Sequence, residues 1–422
     1  MTKVDTAVRA FTRSAPGPDP RPIAARLARA ATVALGRELA QGGLVVEDAA
    51  GAYLLGRTTP EVHVRVHDAR TYSAVLGHGT VGLGQSYIDG WWECDDLTRL
   101  FQLLLRSRGT IGRLQDRIGD LAGRLSTPVR RLRPPSPSRD RHNVQAHYDL
   151  GNEFFALMLD PTMSYSCALF ERPDVSLEQA SIAKMDRICA KLALSPRDHL
   201  IEIGTGWGGF ALHAATRYGC RVTSTTVSTE QYAYATKKVA ELGLADRVTI
   251  LQEDYRALRG RYDKLVSIEM VEAVDWRDLP SFFSTCAALL RPDGLMALQA
   301  ITIDEAAYER AKNGRDFIKA FIFPGSCLPS ISALSAVAAG TDLRIVGLED
   351  IGRHYAETLR RWRARLDAHR SEIDDLDFDE RFVRMWRFYL SYCEAGFLER
   401  RVSDVQMVLA KPRWRPSLAL VS

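Results

Sequence analysis

The fold is decided by the stretch IEIGTGWGGF, which runs from Ile201 to Phe210. Its first three residues have the pattern of a buried strand, and the glycines that follow lead into a helical pattern. Glycine in such a turn permits positive φ and lets a ligand approach the backbone closely. A glycine loop between a strand and a helix is the context of a nucleotide-binding site. The same turn also occurs without a ligand, and the loop alone does not separate the two cases.

Apolar runs of strand length alternate with helical periodicity along the chain from residue 142 onward. The predicted strands are His199–Ile203, Val222–Thr226, Val248–Gln252, Lys264–Ile268, Leu295–Ala300, Leu343–Leu348 and Val405–Leu409. Alternation of strand and helix is typical of a mainly parallel sheet that helices cover on both faces. We therefore predict an α/β fold whose main domain is doubly wound and Rossmann-like.

The 422 residues are enough for about two domains. We predict a polar tail at residues 1–23, a small α+β domain at 24–105, an Arg/Pro-rich linker at 106–141 and the doubly wound domain at 142–422. Short apolar runs and glycine turns, as in Val62–His67 and Gly77–Gly84, indicate the small domain. The linker prediction rests on the run PPSPS at residues 134–138, which regular structure hardly accommodates.

The composition is that of a globular protein, with 46% hydrophobic and 26% charged residues. No apolar run approaches the ~20 residues of a membrane span, and the first 21 residues lack the apolar core of a secretory signal. The seven cysteines show no C-x-x-C spacing, which argues against a disulfide framework or a zinc site. We therefore expect a cytoplasmic protein without a structural metal.

Ten arginines lie between Arg106 and Arg141, together with three aspartates. Such a run is either a solvated linker or a surface for anionic lipid headgroups, where each basic residue contributes ~1 kcal/mol. Nucleic acid is disfavoured as a partner, because no recognition motif accompanies the arginines. The first two alternatives remain open.

The residues after the second and third strands favour S-adenosylmethionine over a dinucleotide. A dinucleotide site needs an acidic residue at the end of the second strand to hold the ribose hydroxyls. Here the segment Thr226–Gln231 supplies hydroxyl and amide side chains instead. Asp254 and Tyr255 follow the third strand, where an adenine would lie against the sheet edge. Ser228 is also suited to cap the next helix in a capping box with Gln231, and the two roles are compatible.

Motifs in the same order along the chain resemble the cyclopropane fatty acid synthase family, including its mycolic acid relatives. The resemblance extends from about residue 142 to residue 412. Besides the glycine loop, the matching segments are His147–Asn152, Leu159–Cys167, Thr226–Gln231, Asp254–Arg256, Phe321–Gly325 and His354–Leu359. The stretch Gly82–Trp92 resembles the accessory domain of the full-length enzymes.

The resemblance implies an enzyme that uses S-adenosylmethionine to transfer a one-carbon unit to the double bond of an unsaturated phospholipid acyl chain. The cofactor-binding residues expected from it are Tyr165, Ser166, Glu202, Gly204, Thr205, Gly206, Trp207, Gly208, Thr226, Ser228, Gln231, Asp254 and Tyr255. With no spanning segment, such an enzyme would act peripherally at the membrane surface. The small domain would then serve lipid contact or dimerisation, and we expect a homodimer.

Methyl transfer to an isolated alkene leaves a carbocation on the lipid, because the alkene has no proton to lose first. The protein must hold the reactants in line and exclude water until a proton leaves. The resemblance implies a bound bicarbonate ion as the base, held partly through backbone groups by Cys167, Glu272, Gln299, Ile301 and Tyr355. Glu272 also follows a predicted strand, at the carboxyl edge where doubly wound sheets bind ligands. A structural role stays open for two of them, Glu272 as a helix N-terminal acid and Cys167 as a buried thiol.

The sequence departs from the common family pattern at three places. Thr205 stands where cysteine is common, the segment Glu272–Asp275 replaces Glu-His-Val-Gly, and Gln299 stands where many relatives carry histidine. An amide can still donate a hydrogen bond to an anion. Ala273 and Gln299 resemble the plant-type branch and the actinobacterial relatives that install mid-chain methyl branches. The product is therefore open between a cyclopropane and a 10-methylene branch that a separate reductase would saturate.

Two other functions are less favoured by the sequence. An inactive lipid-binding scaffold would not need the intact glycine loop, Glu272 and Tyr355. A small-molecule methyltransferase would need neither the accessory domain nor the basic stretch. Both alternatives remain open at this point.

Overall fold

The computed structural model describes residues 22–37, 39, 42–56, 58–107 and 150–415. Contacts divide the chain into two compact units. The first unit comprises Met1–Pro134, Asn313–Pro324 and Trp362–Arg401, and the second comprises Pro135–Lys312, Gly325–Arg361 and Val402–Ser422. The predicted polar tail up to residue 21 and the linker from residue 108 onward lie outside the described residues.

The helices and strands of the described residues are numbered in chain order. They are α1 (Pro22–Arg37), β1 (Gly43–Asp48), β2 (Gly51–Gly56), β3 (Pro60–Val66), α2 (Arg70–Ile88), β4 (Trp92–Cys94), α3 (Leu97–Arg106), α4 (Asn152–Met158), α5 (Leu177–Lys191), β5 (His199–Ile203), α6 (Gly209–Tyr218), β6 (Arg221–Thr225), α7 (Thr229–Glu241), β7 (Val248–Leu251), β8 (Tyr262–Ile268), α8 (Leu279–Leu289), β9 (Leu290–Ile303), α9 (Glu305–Ala311), α10 (Ile331–Ala339), β10 (Arg344–Asp350), α11 (Gly352–Ala368), α12 (Arg370–Asp375), α13 (Glu380–Leu398) and β11 (Val402–Ala410). Single helical turns lie at Tyr255–Ala257, Val271–Ala273 and Ile318–Ile322. None of the described helices is both long enough and apolar enough to cross a bilayer.

The second unit is built on a seven-stranded sheet in the order β10-β11-β9-β8-β5-β6-β7. Strands β5 to β9 are parallel to one another, whereas β11 pairs antiparallel with both β9 and β10. Each predicted strand of the sequence corresponds to one of these seven, with ends that differ by a few residues. The prediction of a mainly parallel, doubly wound sheet is confirmed.

The central strands β5, β8, β9 and β11 are buried on both faces for most of their length, which explains why their sequences are mainly apolar rather than alternating. The edge strand β10 is largely exposed. Successive side chains of β5 point to opposite faces. Leu200 joins one apolar core, together with residues of α5 and α6. Ile201 and Ile203 join the other core, together with residues of α8 and α10. The carboxyl ends of the parallel strands therefore form one common edge, where the loops carry the polar residues of the predicted site.

The first unit holds a four-stranded sheet in the order β2-β1-β3-β4 and several helices. Within it, the α13 residue Phe388 has its ring centroid 4.3 Å from that of Phe317 and 4.8 Å from that of Phe101 on α3. The buried Glu394 carboxylate on the same helix accepts a hydrogen bond from Thr98 and pairs with Arg363 at 2.8 Å. Helix α13 is thus fixed to α3 by an aromatic cluster and a buried ion pair.

The segments 313–324 and 362–401 belong to the first unit by their contacts, although the sequence analysis assigned them to the domain at 142–422. The physical reason is the apolar face of α13, which is buried against residues that lie near the start of the chain. A boundary drawn along the sequence cannot represent this arrangement. The boundary at residue 142 itself stays a prediction, because residues 108–149 lie outside the described part of the chain.

The glycine-rich run at residues 77–84 lies in helix α2, so the expectation of turns is wrong for most of it. Gly79 leaves helical geometry, with φ of 54° and ψ of −127°. Gly84 has a packing role, since a Cβ atom there would lie 2.2 Å from the ring of Phe317. Gly77 has no such neighbour within 4 Å.

We expect Gly84→Ala to destabilise the protein, because Phe317 is fully buried and cannot yield to the new methyl group. Overpacking of this kind costs about 1–3 kcal/mol. Gly77→Ala is the matched control on the same helix, and we expect a neutral or stabilising effect of up to ~1 kcal/mol because alanine favours helix. Thermal and urea unfolding measure both changes. Equal midpoints for the two variants would contradict the proposed packing role.

Candidate active site

The glycine loop, residues 204–208, connects the carboxyl end of β5 to α6. Gly204, Gly206 and Gly208 have φ of 104°, 53° and 89°, a region that glycine adopts without strain. The N–H groups of Gly204 and Thr205 both donate to the carbonyl oxygen of Thr225 at 3.0 Å. A Cβ atom on Gly206 would meet no heavy atom within 4 Å. The loop is therefore bonded to the end of β6 while Gly206 faces open space.

A buried chain of hydrogen bonds supports this loop from β5 and β6. Ser224 donates to the Glu202 carboxyl at 2.5 Å, and its oxygen lies 2.7 Å from the Thr205 hydroxyl. Either hydroxyl can be the donor in the contact between Thr205 and Ser224. Burial raises the pKa of Glu202 to about 8. Thr205 thus contributes a hydroxyl to the network.

The turn after β6 is held by its own side chains. Thr226 donates to the Gln231 amide oxygen at 2.8 Å and accepts from the N–H of Ser228 at 3.1 Å. Ser228 caps α7 by accepting from the N–H of Gln231 at 3.3 Å. Only half of the expected capping box forms, because the Gln231 side chain bonds to Thr226 rather than to the N–H of Ser228. All three side chains are buried and fixed.

Asp254 and Tyr255 follow β7, at the third of three adjacent strand ends. Asp254 accepts hydrogen bonds from the backbone and the guanidinium of Arg256. The Tyr255 hydroxyl is buried and has no hydrogen-bond partner among the described residues. Its ring meets Phe282 edge-on at 5.3 Å. A buried hydroxyl without a partner is costly, so it is available to a bound group.

The segment that contains Tyr165 and Ser166 lies against the glycine loop. The ring of Phe155 contacts both Tyr165, at 5.4 Å, and Trp207, at 4.7 Å between centroids. Ser166 accepts a hydrogen bond from the buried ammonium group of Lys184 at 2.8 Å. The structure therefore places Tyr165 near the loop residue Trp207, in agreement with the grouping expected from the sequence.

The Glu269 carboxylate accepts hydrogen bonds from three different segments of the second unit. Its Oε1 accepts from the N–H of Cys167 at 2.8 Å and from Gln299 Nε2 at 2.7 Å. Its Oε2 accepts from the Tyr355 hydroxyl at 2.5 Å. Glu269 directly follows β8 and has a positive φ of 49°, which is uncommon outside glycine. Cys167, Gln299 and Tyr355 thus meet at one carboxyl group.

Glu272 lies one turn further along, in the helical turn Val271–Ala273 rather than at the start of a longer helix. Its Oε1 accepts a hydrogen bond from the N–H of Ile301 at 2.5 Å. Its Oε2 is buried and has no partner among the described residues. Burial raises the pKa of Glu272 to about 8, and the charge of Glu269 acts in the same direction.

Asp404 on β11 is a third carboxyl group in the cluster. Gln299 Nε2 donates to Asp404 Oδ2 at 2.9 Å as well as to Glu269, so the amide bridges the two acids. Burial and the charges of Glu269 and Glu272 raise the pKa of Asp404 well above its usual range. Burial also raises the pKa of Glu269, but the hydrogen bonds from Tyr355, Cys167 and Gln299 act in the opposite direction. Negative charge is therefore better stabilised on Glu269 than on Asp404.

Cys167 takes part in this site through its backbone. Its thiol is fully buried and donates a hydrogen bond to the carbonyl oxygen of Ala168 at 3.3 Å. Burial raises the pKa of the Cys167 thiol well above its usual range, so the sulfur is neutral. The structural role that the sequence left open for the Cys167 side chain is the one observed.

Three residues of the cluster were missed by the sequence analysis, namely Glu269, Asp404 and Lys184. Glu269 could have been found, because it satisfies the argument used for Glu272: it is an acid among apolar residues just past a predicted strand. Asp404 and Lys184 gave no such signal. Only the fold shows that Asp404 shares the Gln299 amide with Glu269 and that Lys184 is buried beside Ser166.

A bicarbonate ion does not fit this site as it stands. The groups that would hold it, Cys167 N–H, Gln299 and Tyr355, all donate to Glu269. The remaining backbone donor, Ile301 N–H, is bonded to Glu272. An anion that needed the same donors would have to displace the Glu269 side chain. The bicarbonate expected from the resemblance therefore conflicts with the observed geometry.

The raised pKa of Glu202 predicts a pH dependence of stability. Between its ordinary value of 4.5 and about 8, the folded protein retains a proton that the unfolded chain loses. The free energy of unfolding therefore falls as the pH rises through this window. We expect Glu202→Gln to reduce this slope in urea unfolding at pH 5 to 8, with Glu241→Gln on exposed α7 as the control. Glu272 contributes a slope of the same sign, so a reduction rather than complete loss is expected; an unchanged slope would contradict the assignment.

Comparison with known proteins identifies the family of this chain. A family model described as mycolic acid cyclopropane synthetase matches residues 136–407. Tuberculostearic acid methyltransferase UfaA1 of Mycobacterium tuberculosis is 40% identical over 344 residues, which cover 79% of this chain and 79% of that protein. Cyclopropane-fatty-acyl-phospholipid synthase of Escherichia coli is 36% identical over 351 residues, which cover 82% and 87%.

Solved structures of the same family are similar to about two thirds of this chain. The mycolic acid cyclopropane synthase CmaA1, complexed with SAH and CTAB, superposes with a TM-score of 0.60 and 34% identity over 64% of this chain and 98% of that one. The cyclopropane synthase MmaA2 from Mycobacterium tuberculosis gives a TM-score of 0.61 at 33% identity, with the same coverage. The chain therefore belongs to the mycolic acid cyclopropane synthetase family and is an S-adenosylmethionine-dependent methyltransferase.

Proposed function

We propose that this enzyme transfers the methyl carbon of S-adenosylmethionine to the cis double bond of an unsaturated phospholipid acyl chain. The proposal is based mainly on the acidic cluster of Glu269, Glu272 and Asp404. Glu269 and Glu272 follow β8, which is adjacent in the sheet to β5, the strand that leads into the glycine loop. Methyl transfer to an alkene creates a cation and must end in proton removal, so it requires buried negative charge and a base. The names of the relatives in Escherichia coli and Mycobacterium tuberculosis support the same substrate class.

The proposed cofactor site spans the ends of three adjacent parallel strands, β5, β6 and β7. The glycine loop lets a ligand approach the backbone, the turn Thr226–Gln231 offers fixed hydroxyl and amide groups, and Asp254 with Tyr255 forms the far side. Tyr165 and Ser166 would close the site from the segment beside Trp207. S-adenosylmethionine, when bound, supplies an electrophilic methyl group on a sulfonium sulfur. These residues bind and orient it, and they exclude water from the methyl group.

Gly206→Asn tests the cofactor site. Asparagine tolerates a φ near 53°, so the backbone is kept while a side chain enters the open space beside the loop. We expect the affinity for S-adenosylmethionine to fall at least tenfold in calorimetry. The matched control is Gly243→Asn, which has a similar φ of 66°, no heavy atom within 4 Å of its Cβ and a position at the far end of α7. Equal affinities for the two variants would contradict the assignment.

Glu272 and Tyr355 have distinct roles in the proposed chemistry. The Glu272 carboxyl keeps one oxygen without a partner among the described residues, and the dipole of this group stabilises a lipid cation. Tyr355 orients the Glu269 carboxylate through its hydrogen bond. A buried carboxyl is costly unless its hydrogen bonds are satisfied, so the loss of either group changes the charge distribution at the site.

We expect Glu272→Gln and Tyr355→Phe each to retain the fold and to lose turnover by about 10²–10³-fold, the range for removal of an electrostatic stabiliser. The affinity for S-adenosylmethionine should change little in either variant. Tyr308→Phe, on α9 and outside the acidic cluster, is the control for loss of a tyrosine hydroxyl. Near wild-type turnover in either site variant, measured by S-adenosylhomocysteine release, would exclude that residue from the mechanism.

Incubation with S-adenosylmethionine and vesicles of a monounsaturated phospholipid tests the proposed function directly. The fatty acids are then released and analysed by gas chromatography and mass spectrometry. We expect a product that is heavier by one CH₂ group and contains a cyclopropane ring. A product of the same mass that takes up hydrogen readily is the methylene-branched alternative, which the identity to the tuberculostearic acid methyltransferase favours and which a separate reductase would complete. The absence of any lipid product would overturn the proposal.

Peripheral association with anionic membranes is part of the proposal, because a phospholipid substrate lies in a bilayer. Arg106, the first arginine of the basic stretch, pairs with Glu399 at 2.6 Å within the first unit and is not free for lipid. The remaining arginines, from Arg108 to Arg141, lie outside the described residues. The proposal also includes a homodimer, which light scattering tests.

Vesicle flotation tests the membrane proposal. We expect binding to increase with anionic lipid and to decrease with salt, because such attraction is screened beyond a Debye length of about 8 Å at physiological ionic strength. Simultaneous neutralisation of Arg130, Arg131 and Arg133 to Gln should reduce binding, and neutral vesicles serve as the control. Binding that is independent of salt, lipid charge and these arginines would show that the basic stretch is an ordinary solvated linker.

A further inference from the structure

The three acids of the cluster differ in how their carboxyl groups are stabilised. Asp404 is fully buried, and the charges of Glu269 and Glu272 favour its protonated form. Glu272 has a single hydrogen-bond donor, the N–H of Ile301, among the described residues. Glu269 has three donors on two oxygens, from Cys167, Gln299 and Tyr355. Of the three groups, Glu269 is therefore the best stabilised as a carboxylate.

Glu269 is also the least buried of the three acids, and it lies next to the proposed cofactor site. The residue keeps some accessible surface, whereas Asp404 and Glu272 are buried. It lies at the carboxyl end of β8, next to β5 in the sheet. The following residue, Met270, approaches the glycine loop: a Cβ atom on Gly204 would lie 3.1 Å from the Met270 side chain. Glu269 is therefore adjacent in sequence to a residue that contacts the glycine loop of the proposed cofactor site.

We propose that the Glu269 carboxylate is itself the base that removes the proton from the lipid cation, at the position that the family resemblance assigns to a bicarbonate ion. This inference rests on the proposed function. Its support is the identity of the donors: the three groups expected to hold the free anion hold a side-chain carboxylate instead. An attached base has no binding equilibrium and remains aligned in every turnover.

The proposed step balances in atoms and electrons. The π electrons of the alkene form the new C–C bond, and the electron pair of the breaking C–S bond stays on sulfur, which gives neutral S-adenosylhomocysteine and a lipid cation. Glu269 then takes a proton from carbon. The electron pair of that C–H bond closes the cyclopropane ring, or after a 1,2-hydride shift forms the exocyclic double bond. The proton leaves from the Glu269 carboxylic acid to water, and the carboxylate is regenerated.

The backbone at position 269 makes a clean test possible. A φ of 49° suits glycine better than any other residue, so Glu269→Gly removes the carboxylate without straining the turn. It also frees the N–H of Cys167, the Gln299 amide and the Tyr355 hydroxyl for a small anion. Glu269→Gln keeps the size of the side chain and fills the same space with an amide. Glu241→Gln, a surface carboxyl on α7, is the control.

Activity is measured as lipid product in buffers depleted of carbon dioxide, with and without added bicarbonate or formate. We expect wild type and Glu241→Gln to be active without either anion. Glu269→Gly should lose about 10²–10⁴-fold in turnover, the usual contribution of a general base, and recover in a saturable manner with added formate or bicarbonate. Glu269→Gln should lose a similar factor and show no recovery. Binding of S-adenosylmethionine, measured by calorimetry, should be unchanged in both variants.

Each outcome separates this inference from the proposed function. A wild-type enzyme that requires added bicarbonate would overturn the role of Glu269 and leave the lipid reaction intact. Near wild-type turnover of Glu269→Gly without an anion would do the same. If Glu269→Gly retains cofactor binding but no anion restores it, the glutamate is structural and the inference fails. A wild-type enzyme that forms no lipid product under any condition would overturn the proposed function, and this inference with it.

Discussion

The burial of Glu269, Glu272 and Asp404 at the carboxyl edge of a parallel sheet is the constraint on which the rest of the second unit depends. Several carboxyl groups in a low-dielectric environment are strongly destabilising unless protons, hydrogen bonds or opposite charges compensate them. Here backbone N–H groups, the Gln299 amide, the Tyr355 hydroxyl and the buried ammonium group of Lys184 provide that compensation. Their positions come from β9, α11, α5 and the segment before α5. The site therefore constrains how these elements pack against one another.

Gln299 illustrates how one residue changes the character of such a site. Its Nε2 donates to Glu269 and Asp404 together, and its carbonyl oxygen accepts from Gln406 at 3.0 Å. An amide has two fixed donors on one nitrogen and no charge to titrate. It can therefore bridge a carboxylate and a carboxylic acid at any pH near neutrality. A histidine at this position would offer a single donor per nitrogen and would change charge within the physiological range.

The two halves of the candidate site have opposite electrostatic character. The cofactor side at β5, β6 and β7 consists of hydroxyl, amide and backbone groups that are bonded to one another before any ligand arrives. The acidic side, at β8, β9 and β11, keeps buried carboxyl oxygens without partners among the described residues, on Glu272 and Asp404. A carboxylate on Glu269 beside them suits a reaction whose intermediate is cationic. A fixed neutral network suits the binding of a cofactor that must be held in one orientation.

The sequence by itself determined the strands, the glycine loop and the preference for S-adenosylmethionine, because these depend on local periodicity and on residues a few positions apart. The family resemblance implied that Glu272, Gln299, Ile301 and Tyr355 belong to one site, and the structure brings Gln299 and Tyr355 together at Glu269. The sequence did not determine which group they bind. Glu269 lies 102 residues from Cys167, 30 from Gln299 and 86 from Tyr355 along the chain.

Only the tertiary structure decided two further points. Convergence of those three donors on one carboxylate follows from the strand order β9-β8-β5 and from the packing of α11, neither of which has a local signature. In the same way, the burial of α13 against α3 placed residues 362–401 in the first unit, since an amphipathic helix does not specify in its own sequence which apolar surface it covers. Local structure follows from neighbouring residues, whereas contacts between residues far apart in the sequence are set only by the tertiary fold.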